Sequence, residues 1–121
     1  MATEDSKKRW EKVRALQQEY SWLFPQILET LNKHDPIGIY QSGNGSYYSE
    51  MGTILPRLLK EATSPVMIRT ILYEELNWWF GGVVDTDLRE RPAQTEARFT
   101  ALAEDLWMVY QRWLAEQAGH D

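Results

Sequence analysis

The sequence predicts an all-α protein, a compact bundle of four to five helices with a Gly-rich, inward-tucked loop at about 34–46. Three observations predict it. Apolar residues recur at steps of three and four through most of the chain, the spacing of a helix turning about 100° per residue. Strand-type alternation is sustained nowhere. Pro36, Pro65, Pro92 and Gly81-Gly82 fall at the ends of apolar stripes, where helices start and stop. A length of 121 residues suits one domain. No segment separates two cores, so 1–121 reads as a single helical domain.

The first stripe runs through Trp10, Val13, Leu16, Tyr20, Leu23, Phe24, Ile27, Leu28 and Leu31. Pro25 interrupts it, lacking an N–H and clashing with the carbonyl of Ser21. The prediction is two helices, about 6–23 and 25–33, meeting at a kink. Lys33, His34 and Asp35-Pro36 stop the second. The loop that follows holds Gly38, Gly43 and Gly45, and its Ile37, Ile39 and Tyr40 direct part of it inward. A third stripe comprises Tyr47, Tyr48, Met51, Ile54, Leu55, Leu58, Leu59 and Ala62, and Pro56 should bend it near Gly52.

Ser64-Pro65 opens the next helix, a capping hydroxyl followed by proline at the first helical position. It runs to Phe80, and Gly81-Gly82 ends it. Asp85, Asp87, Arg89, Glu90 and Arg91 read as a polar connection. The last helix spans about 92–116, with Phe99, Leu102, Ala103, Leu106, Val109, Tyr110, Trp113 and Leu114 on its stripe.

Composition excludes several classes of function. There is no cysteine, hence no disulfide, thiolate nucleophile or cysteine metal site. Neither an apolar leader nor a run of about 18 apolar residues occurs, so a cytoplasmic protein without a membrane span is expected. Net charge is −5 and unevenly placed: residues 1–14 carry five Lys/Arg against three Asp/Glu, and the remainder carries eight against fifteen. Lys7, Lys8, Arg9, Lys12 and Arg14 read as a solvated N-terminal face, and nucleic acid is not an expected partner. No Glu-x-x-His, His-x-x-x-His or calcium-loop pattern occurs, Asp85, Asp87 and Glu90 read as a polar loop as readily as a cation contact, and no metal or cofactor is expected. Gly43-Asn44-Gly45-Ser46 lacks the lysine of a phosphate loop. His34-Asp35 with Ser42, Ser46 or Ser49 supplies the residue types of a hydrolytic triad without the strand–turn–helix elbow that exposes its nucleophile, and His120 sits in the tail.

One segment carries a resemblance. A helix ending in Asn32-Lys33-His34 runs into Asp35-Pro36-Ile37-Gly38, then a short loop with tyrosines. A helix with Ile54, Leu55, Leu58 and Leu59 and another opened by Ser64-Pro65 follow, and a final helix carries Leu102, Leu106 and Trp107. This order resembles the small bacterial YugE-like proteins, helical proteins of unknown function. The resemblance implies a compact helical bundle and carries no site residues with it.

Several positions break the pattern. With Ile68 at zero, Ile71 falls at about −60°, Leu72 at about +40° and Glu75 at about −20°, which puts a carboxylate in the apolar arc. Glu75 is either an acid/base or ligand group in a pocket, or a structural carboxylate holding the 34–46 loop or an arginine. Trp22 points away from its stripe if the first helix is continuous, which suggests a protein partner or a second copy of the chain; a kink at Pro25 turns it onto the bundle's edge instead. Trp78, Trp79 and Phe80 spread over about 200° of one helix, more than a small core covers. Trp107 lies beside its stripe, and Met108 nearly opposite. Six tryptophans could line a binding groove or thicken the core.

Two functions follow. The first is a small protein-interaction module, an immunity protein for a toxin being one form, with Trp22, Glu75, Trp78, Trp79 and Trp107 as candidate binding residues. The other is a small helical enzyme or ligand binder with Glu75 and the 34–46 loop lining a pocket. The balance favours a non-enzyme.

Overall fold

A computed structural model describes residues 4–43 and 45–119, with Glu4 and Asp5 as backbone only; Asn44 and His120 lie outside it. Six helices and no strand occur among the described residues: α1 (Glu4–Glu19), α2 (Leu23–His34), α3 (Met51–Glu61), α4 (Pro65–Trp79), α5 (Val83–Glu90) and α6 (Pro92–Ala118). None is long and apolar enough to cross a membrane.

The axis of the bundle is α6, whose 27 residues extend about 40 Å. Its buried face is Thr95, Phe99, Leu102, Ala103, Leu106 and Tyr110, a single stripe at helical spacing. Helix α4 covers one side of it with Ile68, Ile71, Leu72 and Leu76, and α2 the other with Leu23, Phe24, Ile27 and Leu31. Helix α3 packs on α4, α5 closes the corner between α4 and α6, and α1 lies outermost, across α3 with a smaller contact to α2.

Ser64 caps α4 as its sequence requires: extended backbone, its Oγ accepting from Met67 N–H at 3.2 Å, and Pro65 at the first helical position. Helix α3 passes through Pro56 as one element and begins at Met51, so the apolar residues Tyr47 and Tyr48 belong to the turn before it.

Three expectations need correction. Residues 20–22 form a turn, so the first break precedes Pro25. Pro25 sits third in α2, among the first-turn positions whose N–H groups have no intrahelical acceptor, and it starts that helix rather than kinking it. The polar stretch 85–91 is mostly α5. Its cap is remote: Asn77 Oδ1, back on α4, accepts from Val84 N–H at 2.9 Å and Asp85 N–H at 3.0 Å. Gly81 and Gly82, both at positive φ, let the chain reverse between the two helices. The apolar residues of α1 do not form a buried stripe, because Val13 alone among its described side chains is buried and Trp10 is 51% exposed.

Candidate functional site

The loop after α2 is organised by Asp35. It is buried, left-handed at φ 46°, and its carboxylate accepts from Tyr40 N–H (3.0 Å), Gln41 N–H (2.9 Å) and the Tyr47 hydroxyl (2.8 Å). Burial alone would raise the Asp35 pKa; those donors overcome it and hold the carboxyl below its ordinary range. The Tyr47 hydroxyl also accepts from Ile37 N–H at 3.2 Å, and burial pushes its pKa well above the usual tyrosine value. The inward tuck of the loop is therefore a carboxylate gathering backbone donors, with Pro36 buried behind it and Tyr40 to Gly43 exposed.

This arrangement commits His34 and Asp35 to partners other than a serine. His34 Nε2 lies 2.6 Å from Asp105 Oδ2 on α6, and Ser46 Oγ accepts from Tyr48 N–H. A polar cavity of about 350 Å³ between the loop, α5 and α6 has walls that include His34, Asp35, Asp87, Arg91 and Arg98. Two of its cations contact the fold: Arg98 donates to Pro36 O at 3.1 Å, and Arg91 stands 3.8 Å from Asp87. Among the described residues no group of His, Asp and Glu is placed to hold a metal ion.

Glu75 is not part of that cavity, and its partner is not the loop. Its side chain is 16% exposed and accepts from Arg57 Nη1 at 3.0 Å; the same guanidinium binds Glu61 at 2.9 Å and Glu74 at 2.9 Å. The three carboxylates raise the Arg57 pKa, Glu61 most of all. Of the two readings of Glu75, this geometry matches a structural carboxylate tying α3 to α4.

The tryptophans divide into two groups. Trp22 and Trp107 belong to an aromatic seam beside the C-terminal half of α6. Arg112 lies over the Trp22 ring at 5.6 Å, Trp107 neighbours Tyr110 at 6.3 Å, and Trp113 bridges Tyr110 and Tyr20. The turn at 20–22 brings Trp22 half-buried onto the bundle's edge. These rings close the fold.

The other group is open. Helix α1 meets α3 where Gly52 has no side chain: a Cβ there would stand 3.0 Å from Val13 Cγ2. One turn earlier on α1, Arg9 lies over the Trp79 ring at 5.3 Å, while Trp10 stacks on Tyr48 at 5.6 Å. Trp79 Nε1–H donates to Thr53 Oγ1 at 2.7 Å, which fixes its ring between α1 and α3. Trp78 meets Trp79 edge to face at 5.2 Å and is otherwise 67% exposed. Two adjoining hollows share the Arg9–Trp79 wall. One, about 130 Å³, is completed by Ser6, Trp10, Val13 and Ser49; the other, about 270 Å³, by Lys8, Lys12, Gly52, Thr53 and Trp78. Trp10 was hidden in the sequence by its place on a stripe; Lys8, Arg9 and Lys12 are exposed, as expected of a solvated face, and what the sequence did not show is that Arg9 also covers Trp79. Cations interleaved with Trp10 were the available signal.

No family model, curated protein or solved structure matches this chain. The functional reading rests on this geometry.

Proposed function

We propose that this chain is a protein-interaction module whose binding face is the cleft between α1, α3 and the end of α4. One observation carries the reading: Trp10 and Trp78 are half and two-thirds exposed on either side of a Trp79 ring locked in place by Thr53 and Arg9. Exposed, rigid tryptophan beside arginine is the composition of interface hot spots, because a flat ring buries much area with little entropy to lose. Trp22 and Trp107 leave the expected binding set for the aromatic seam, and Glu75 for the Arg57 cluster. The ligand-pocket alternative draws no support from a Glu75 held by Arg57.

The test is affinity capture from native lysate with the full chain, beside Trp78→Ala and Trp10→Ala. Trp78 is two-thirds exposed, so Trp78→Ala should fold normally by circular dichroism; Trp10→Ala also removes the stacking on Tyr48, so hydrogen exchange of α1 accompanies it. A stoichiometric protein captured by the native chain should be lost or strongly depleted with either variant. Equal capture by all three would remove this face from the reading.

A further inference from the structure

The cleft has a charge opposite to that of the molecule around it. Among the described residues its two hollows are lined by Lys8, Arg9 and Lys12 and by no carboxylate, in a chain of net charge −5. The carboxylates nearest along α4, Glu74 and Glu75, precede Trp78 and Trp79 by one turn and are both bound to Arg57. The aromatic rings therefore have exposed cations on the α1 side, Arg9 among them lying over Trp79, and an acidic cluster bound to Arg57 on the other.

Resting on the interaction-module reading, we infer that the occupant of this cleft is an acidic peptide segment of a partner protein. It seats one apolar side chain in the larger hollow, against Trp78 and Trp79, and lays carboxylates along Lys8, Arg9 and Lys12. Charge complementarity argues for this occupant: carboxylates gain from the α1 cations and are kept off the Glu74–Glu75 side, which also sets the direction of the segment. A nucleic acid strand fits less well. Three cations offer few phosphate contacts, and a longer polyanion would run onto the acidic remainder of the surface.

The experiment is fluorescence anisotropy of labelled peptides titrated with the full chain. The acidic probe alternates Glu and Ser around a central Phe; companions carry Gln or Lys for each Glu, and an oligo-dT strand serves as competitor. The acidic probe should bind at least tenfold tighter than the Gln peptide, weaken with added salt, and resist the oligonucleotide. Trp78→Ala and the double variant Lys8→Gln/Lys12→Gln should each weaken it by about tenfold. Equal binding of the Gln peptide, tighter binding of the Lys peptide, or displacement by oligo-dT would overturn the inference. So would sedimentation showing a dimer that Trp78→Ala dissolves, since the occupant would then be a second copy. If the acidic probe fails while Trp78→Ala still abolishes capture from lysate, the acidic segment falls and the interaction face stands. If Trp78→Ala changes neither assay, both fall.

Discussion

Replacing Asp35 by alanine removes the acceptor that three donors share in the loop after α2. Two of them, the N–H groups of Tyr40 and Gln41, belong to exposed residues, so water can replace the carboxylate there; each loss should cost about 1 kcal/mol. The third, the hydroxyl of fully buried Tyr47, has no such recourse and should cost about 2 kcal/mol or more. Asp35 also holds a left-handed backbone that alanine adopts less readily, about 1 kcal/mol more. The expected loss is about 5 kcal/mol or more, a large part of the total stability of such a domain. The assay is urea unfolding followed by far-ultraviolet circular dichroism, with Asp35→Asn as companion. Asparagine tolerates the backbone and keeps an acceptor, so it should lose about 2 kcal/mol at pH 7. The folded Asp35 pKa lies below its reference of 3.8, so the carboxylate's contribution is complete above that value and disappears as pH falls through the folded pKa. The gap between native chain and Asp35→Asn should accordingly close in acid. A loss below about 1 kcal/mol for alanine, or an Asn deficit that persists unchanged at low pH, would refute this account of the loop.

Two further predictions concern groups near the cleft. Glu50 is buried with Oε2 unpartnered; burial raises its pKa above 4.5, against the pull of its own backbone N–H. The native chain should therefore lose stability as pH rises from 4.5 through that raised pKa. Glu50→Gln should match it in acid and exceed it by about 1 kcal/mol at pH 7 in the same unfolding assay; an unchanged pH profile would show that Glu50 is solvated. Gly52→Val should drive Val13 away from α3, where even a Cβ would come within 3.0 Å. Hydrogen exchange should show α1 amides losing protection while α4 and α6 keep theirs, and retained α1 protection would contradict the seam.

Helix class was legible wherever one face is buried over several turns, as in Ile68–Ile71–Leu72–Leu76 and Phe99 to Tyr110. It failed for α5, which buries only Val84 and takes its cap from Asn77 on the preceding helix. A local window contains neither fact. Pro25 misled because its clash rule applies to helix interiors, and only the fold showed that the helix begins two residues before it. Asp35 read as a stop signal; its role depends on Tyr40, Gln41 and Tyr47 curling back onto it, a gathering of donors without periodicity. Of the site, Trp78 and Trp79 were visible as adjacent aromatics no small core could cover. Trp10 was not, because a stripe position on a helix that buries one side chain resembles one on a helix that buries many.

That weak burial of α1 bears on how the cleft works. The helix is held by Val13 against Gly52, by Trp10 on Tyr48 and by Tyr48 Oη donating to Gln17 Oε1 at 2.8 Å, a narrow seam beside the packing of α2, α4 and α6. Its Lys8 and Lys12 are thus exposed toward a partner, whereas Trp78 is carried by a helix anchored on α6. A segment bridging Lys8 and Lys12 to Trp78 binds only the arrangement in which α1 is docked, so it must stabilise that docking in proportion to its affinity. The acidic probe should slow exchange of α1 amides more than those of α6, and Gly52→Val should weaken its binding although position 52 contributes no cation or ring. If exchange slows evenly across the helices, α1 is already fixed and the cleft is a preformed surface.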